Sequence, residues 1–204
     1  MSVRTGFIGV GAMGSPMALN ILKAGIPLIV HDVDEDKTIE HEKAGAEVMY
    51  SPMEVANASE RTICLVETTR QAEEVICGER GIIHGAKPGH IVICMSTIDP
   101  TVAKRIASDL SLQEILMLDA PVSGGTARAQ AADLTVIAGG EEKVFNECKD
   151  IFAAIGKDAF YIGDHGQGLV MKLINNMLGI TNTITLIEGL TIGAKSGIGL
   201  QTML

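Results

Sequence analysis

Residues Thr5 to Asp32 constrain the fold more than any other stretch of this chain. They read as an apolar strand, the turn Gly9-Val10-Gly11-Ala12-Met13-Gly14, a helix-like run from Ser15 to Lys23, a second strand from Pro27 to Val30, and then an acid. That order is the βαβ pattern of a dinucleotide site. Gly9 allows the tight turn, Gly11 lets the backbone approach a pyrophosphate, and Gly14 lets helix and strand pack closely. The helix N-terminus then faces the phosphates with unpaired N–H groups and the positive end of its dipole. Gly9, Gly11, Ala12, Met13 and Gly14 are the expected pyrophosphate cradle.

The acid that closes this unit is Asp32, followed by Asp34, Glu35 and Asp36. A carboxylate there can accept both hydroxyls of an adenosine ribose, while the local negative field repels a 2′-phosphate. NAD rather than NADP is the expected cofactor. Asp32 could instead, or also, cap the next helix.

Strand-like runs recur at Gly6–Gly9, Leu28–Val30, Ile63–Val66, Ile91–Cys94, Ile115–Leu118, Leu134–Ala138 and Phe160–Ile162. Helix-like stretches alternate with them, at Lys37–Ala44, Arg70–Ile76, Pro100–Leu110 and Glu141–Ile155. Alternation of this kind predicts an α/β fold of Rossmann type, a doubly wound and mainly parallel sheet. The pattern changes after Gly163. From Gly168 the residues read as one helix of about thirty positions, some 45 Å long at the α-helical rise, and apolar around most of its circumference. Such a helix needs protein around it. The expected division is residues 1–163 as an NAD-binding domain and 164–204 as a long connecting helix that begins an all-α second domain, incomplete in this chain.

Composition narrows the function classes. The formal net charge is −9, with no lysine or arginine run, so the chain lacks the basic stripe that nucleic acid requires. Lys172, Asn175, Asn176, Asn182, Glu188 and Lys195 interrupt the long apolar helix, which argues against a membrane span. No signal peptide is read at the N-terminus. The four cysteines show no CxxC spacing and read as reduced thiols of a cytoplasmic protein, with no metal site.

Two further segments can carry chemistry. In Asp119-Ala120-Pro121-Val122-Ser123-Gly124-Gly125, adjacent glycines expose consecutive N–H groups which, with the Ser123 hydroxyl, could form a nest for a carboxylate; a plain connecting turn is the alternative. Lys172 lies four positions after Gly168, near the start of the apolar helix, with Asn175 and Asn176 one turn further on. A lysine in a dry pocket has its pKa lowered by desolvation, which equips it for proton transfer near neutral pH. A lysine snorkelling at a helix end is the alternative.

Together, Gly9–Gly14, Ser96-Thr97-Ile98-Asp99-Pro100, Asp119–Gly125 and the run Gly163-x-x-Gly166-x-Gly168-x-x-x-Lys172-x-x-x-Asn176 resemble the β-hydroxyacid dehydrogenase family, over essentially the whole chain. The resemblance implies that Thr97 contacts the cofactor on its nicotinamide side, and that Ser123, Gly124 and Gly125 bind a substrate carboxylate. It makes Lys172 the general acid/base and Asn176 a substrate-orienting residue. The implied substrate is a small hydroxy acid or semialdehyde. Where relatives place a Leu-Pro pair near the adenosine, this chain has Val66-Glu67, and the Val66 backbone is expected to keep its contact. Ala132-Asp133 stands where relatives commonly carry a glycine and a small residue. The family continues beyond Leu204 into a helical domain, so a homodimer or higher homo-oligomer, or further helices, would cover the long helix. Asn175 disfavours the 6-phosphogluconate dehydrogenase branch, which carries a histidine there, and the retained lysine disfavours imine reductases. The alternative outside enzymes is a non-catalytic NAD-binding or dimerisation module.

Overall fold

In the computed structural model, which describes residues 3–204, the first strand β1 (Thr5–Ile8) is buried throughout. It alternates sides with period two, Phe7 facing one apolar layer and Ile8 the other. β1 leads through the glycine turn into α1 (Gly14–Lys23) and β2 (Leu28–His31). A 3-10 turn, Glu35–Thr38, and the short α2 (Ile39–Lys43) follow where one helix from Lys37 to Ala44 was expected. The two-residue β3 (Glu47–Val48), unforeseen in the sequence, ends this half.

After α3 (Pro52–Asn57) the chain crosses back to β4 (Arg61–Cys64). It continues through α4 (Thr69–Cys77), α5 (Ile82–Gly85), β5 (Ile91–Cys94), α6 (Pro100–Ser111) and β6 (Leu116–Asp119). The order β3-β2-β1-β4-β5-β6 is parallel at every pairing. The direction of winding reverses between β1 and β4, and in open α/β sheets ligands bind outside the strand C-termini at that reversal.

The far edge is mixed. β7 (Val122–Ser123) and β6 both pair antiparallel with β8 (Leu134–Gly140), with the short α7 (Gly125–Gln130) between β7 and β8 in sequence. β9 (Gly156–Gly163) pairs parallel with β8. The helix expected from Glu141 to Ile155 is two, α8 (Glu142–Glu147) and α9 (Lys149–Ile155), broken at buried Cys148. The break lets Phe145 and Phe152 meet, ring centroids 5.3 Å apart, within one core layer.

α10 (Gln167–Lys195) has the expected length, and α11 (Leu200–Met203) folds back on its end. Only Gly168, Leu169, Lys172 and Gly193 of α10 are buried, so the enclosure expected for it is not provided by this chain. Its outer residues from Leu173 to Ile187, such as Met177, Ile180 and Ile184, are roughly half exposed. The physical reason is that its contacts within this chain, to β6, β8, β9 and α6 and, at the far end, to α11, leave most of its circumference bare. By length and composition alone it is apolar enough to cross a membrane, at a mean hydropathy of 1.2.

Candidate active site

The glycine turn divides its work as its spacing predicts. Gly9 has φ +95°, and a Cβ there would lie 2.1 Å from the Leu65 carbonyl oxygen. A Cβ on Gly14 would lie 1.9 Å from the Gly9 carbonyl oxygen, so helix and strand meet at a distance no other residue permits. Gly11 differs: a Cβ there meets nothing within 4 Å. The protein itself does not need a glycine at that point, whereas a pyrophosphate drawn against the backbone does. Among the described residues, the N–H groups of Ala12 and Met13 have no protein acceptor, and they point the start of α1 at the same place. The turn therefore fits a dinucleotide.

Asp32 is 8% exposed. Its Oδ2 accepts the Val10 N–H at 2.9 Å and its Oδ1 the Asp34 N–H at 3.0 Å, with Lys37 Nζ 4.0 Å away. The carboxylate thus braces the glycine turn while keeping lone pairs for ribose hydroxyls. It does not cap the 3-10 turn, whose N-cap position is Asp34. Gly9, Gly11, Asp32, Val33, Val66 and Val75 line a cavity of about 410 Å³, into which Glu67 also opens. Ile8, Leu65, Val66 and Val75 give it apolar walls, and Asp32, Glu67, Glu74, Lys37 and Arg80 supply its charged groups; apolar walls with a few polar groups suit an adenosine.

At the next strand end, Ser96 is buried and its hydroxyl accepts the Val66 N–H at 2.7 Å. The Val66 N–H is thereby engaged within the protein, which leaves its carbonyl oxygen and side chain for a ligand. Asp99 accepts the Thr101 N–H at 2.7 Å with Pro100 in the first turn, so these two residues start α6. Thr97, between Ser96 and Asp99, is exposed.

The substrate-loop residues sit one strand further. Ser123 ends β7, Gly124 (φ +144°) is the N-cap of α7, and Gly125 has φ +73°. Ala132 adopts φ +52°, the left-handed conformation that favours a glycine, at a cost of about 1–2 kcal/mol. Asp133 pairs with Arg128 at 2.9 Å.

Lys172 is 9% exposed, and no carboxylate among the described residues pairs with it. Burial pushes its ammonium below the ordinary lysine range. Asn176 is half-buried, and its side chain makes no protein hydrogen bond among the described residues. Asn175 instead donates from Nδ2 to Ser123 Oγ at 3.3 Å, which ties the substrate loop to the face of α10 that carries Lys172 one turn earlier. Spacing along the chain gives Asn175 no such partner and assigns Asp119 no role. Fully buried, Asp119 accepts the Gly166 N–H at 2.7 Å and the Leu169 N–H at 3.1 Å. Burial raises its carboxyl, and those two bonds oppose the rise. An acid opening an otherwise apolar and glycine-rich segment was the available signal.

The cysteines are free thiols away from this chemistry. Burial pushes Cys77 up to about 11 and Cys148 to about 12, so neither forms a nucleophilic thiolate.

Residues 4–163 match the family described as the NAD binding domain of 6-phosphogluconate dehydrogenase. The mouse mitochondrial 3-hydroxyisobutyrate dehydrogenase is 39% identical over 95% of this chain and 58% of its own length. The 2-(hydroxymethyl)glutarate dehydrogenase of Eubacterium barkeri is 36% identical over 99% of this chain and 67% of its own. A solved 3-hydroxyisobutyrate dehydrogenase from Mycobacterium tuberculosis, with L-serine, superposes with a TM-score of 0.91 at 27% identity, covering 100% of this chain and 69% of that one. The chain belongs to this NAD-binding family and, within it, to the β-hydroxyacid dehydrogenases. It spans about 58% of the length of the mouse relative.

Proposed function

We propose that the chain carries the cofactor site and the proton-transfer lysine of an NAD-dependent dehydrogenase for short β-hydroxy acids or their semialdehydes. The observation that carries this reading is Lys172, a lysine with 9% exposure, no anionic partner among the described residues and a lowered pKa, one turn from the Asn175–Ser123 contact. A surface lysine at a helix end keeps its ammonium in water and so has neither the burial nor the lowered pKa. The compounds in the relatives' names, 3-hydroxyisobutyrate, 2-(hydroxymethyl)glutarate and L-serine, share a primary alcohol one carbon away from the carbon bearing the carboxylate. In the reading proposed here, Ser123 with the Gly124 and Gly125 N–H groups holds that carboxylate. The neutral amine of Lys172 takes the hydroxyl proton, and Asn176 orients the substrate. Gly11, Ala12, Met13 and Asp32 hold the cofactor, with Val66 against the adenosine and Thr97 towards the nicotinamide. Bound NAD supplies the acceptor for the hydride from the carbinol carbon.

We further infer that residues 1–163 are the NAD-binding domain and 164–204 the connection into a helical domain, and that the protein works as a homo-oligomer. The greater length of the relatives supports the first, and bare α10 supports the second. A monomer by light scattering at micromolar concentration would remove the second.

The test is NADH formation with a panel of short hydroxy acids. Lys172→Ala is expected to lower kcat by about 10²–10⁴-fold, the usual worth of a positioned acid/base, and to leave NADH binding within twofold. Near-normal kcat in that variant would sink the assignment.

A further inference from the structure

α10 begins without a side-chain cap of its own. Its N-cap is Gly166, in the left-handed region at φ +85°, and a glycine has no side chain with which to accept the orphan N–H groups of a first turn. The cap comes from 47 and 50 positions earlier in the chain: Asp119 Oδ1 takes the Gly166 N–H and Asp119 Oδ2 the Leu169 N–H. Asp119 is the last residue of β6, and it is fully buried. Four residues later the same segment reaches Ser123; three residues after Leu169, α10 reaches Lys172.

The junction leaves little room to shift. A Cβ on Gly168 would lie 2.7 Å from the Asp119 carbonyl oxygen and 2.6 Å from that of Ile137, and one on Gly139 would lie 3.0 Å from Asp119 Oδ1. His165 is tied to the Met117 carbonyl oxygen at 3.0 Å, which pins the approach to the helix as well. A carboxylate is the side chain this place requires, because it alone of this size offers two acceptors and a negative charge to a helix N-terminus. An asparagine would turn an NH₂ towards one of the two N–H donors.

We propose that Asp119 is the positioning residue for Lys172, clamping the start of the lysine helix to the strand that runs into the substrate loop so that Lys172 and Ser123 keep a fixed separation. This rests on the assignment of Lys172 as the acid/base. A displacement of about 1 Å between reacting groups is enough to cost on the order of a hundredfold in rate, so a clamp on the backbone of both partners acts directly on turnover.

The experiment compares the native chain with Asp119→Asn and Asp119→Ser, each checked for folding by circular dichroism and for NADH affinity by fluorescence titration. The first readout needs no turnover: acylation of individual lysines by acetic anhydride at neutral pH, resolved by mass spectrometry. The labelling rate of Lys172 is expected to change several-fold in both variants, with those of Lys37 and Lys149 unchanged. The second readout uses 3-hydroxyisobutyrate and L-serine with NAD. Asp119→Asn is expected to lose about tenfold or more in kcat, with the Kd for NADH within twofold. Unchanged Lys172 labelling in the folded variants, or a lowered Tm with kcat intact, overturns the clamp and leaves Asp119 a structural cap. A Lys172→Ala chain that still turns over overturns the acid/base assignment instead, while labelling continues to decide whether Asp119 holds Lys172 in place.

Discussion

Asn175 on α10 donates to the Ser123 hydroxyl across 52 positions of sequence, at 3.3 Å. The direction of that bond matters, because the serine oxygen acts as acceptor and its own proton is left free to point elsewhere. If that proton meets a substrate carboxylate, Ser123→Ala should raise KM for the acid roughly ten- to a hundredfold, as loss of a hydrogen bond to a charged group does, with a smaller change in kcat. Asn175→Asp reverses the bond by accepting the serine proton and should raise KM further. Steady-state kinetics on both variants checks this, and an unchanged KM in Ser123→Ala would remove the serine from the site.

Gly11 and Gly14 make opposite predictions. A methyl group on Gly11 meets no protein atom, so Gly11→Ala should fold with a stability within about 1 kcal/mol of the native chain and bind NADH at least about tenfold more weakly, a loss of ~1.4 kcal/mol. A methyl group on Gly14 collides with the Gly9 carbonyl, and Gly14→Ala should lose about 1–3 kcal/mol of stability. Thermal melts beside fluorescence titrations separate the two. Equal destabilisation by both would deny Gly11 a ligand role.

Asp32 holds the glycine turn through Val10 and leaves capacity for the ribose. Asp32→Asn is expected to weaken NADH binding by about tenfold, some 1.4 kcal/mol, and to narrow the preference for NADH over NADPH by relieving repulsion of a 2′-phosphate. Titration with both nucleotides tests it. A native chain that binds NADPH better than NADH contradicts the role given to Asp32.

His90 supplies a pH dependence of folding. Buried beside Thr62, with Nε2 2.9 Å from its hydroxyl, it has a pKa lowered by burial from 6.5 to about 4. Above pH 6.5 the histidine is neutral both folded and unfolded and contributes no slope. Between about 6.5 and 4 the unfolded chain takes up the proton first, so stability falls as the pH drops, by about 3 kcal/mol over the whole interval. Denaturant melts across that range should show the fall, and His90→Gln should flatten it. A native chain with constant stability from pH 6.5 to 4 would contradict the burial of a neutral imidazole.

Much of the site was legible because its chemistry is local. The turn from Gly9 to Gly14 and the acid at Asp32 lie within one βαβ unit, where a glycine's lack of a Cβ and a carboxylate at a strand end act over a few residues. Lys172 was legible as a candidate because a charge that is buried without a partner is costly. Asn175 could not be told from Asn176 by spacing, since both fall one turn beyond the lysine, and only the position of β7 selects the one that meets Ser123. Residues from Glu141 to Ile155 read as one helix because propensity continues through Cys148, whereas the chain breaks there, and the two short helices bring the Phe145 and Phe152 rings within 5.3 Å.

By itself, then, the sequence determined the βαβ order, the glycine turn that fits a dinucleotide, the candidate lysine and the length of α10, all of which follow from residue type and short-range periodicity. Tertiary structure alone decided that Ser96 engages the Val66 amide, that Asn175 reaches Ser123, and that Asp119 caps a helix 47 residues away. Buried polar groups must find partners, and which partner is within 3 Å depends on how the sheet brings distant strand ends together rather than on any spacing along the chain.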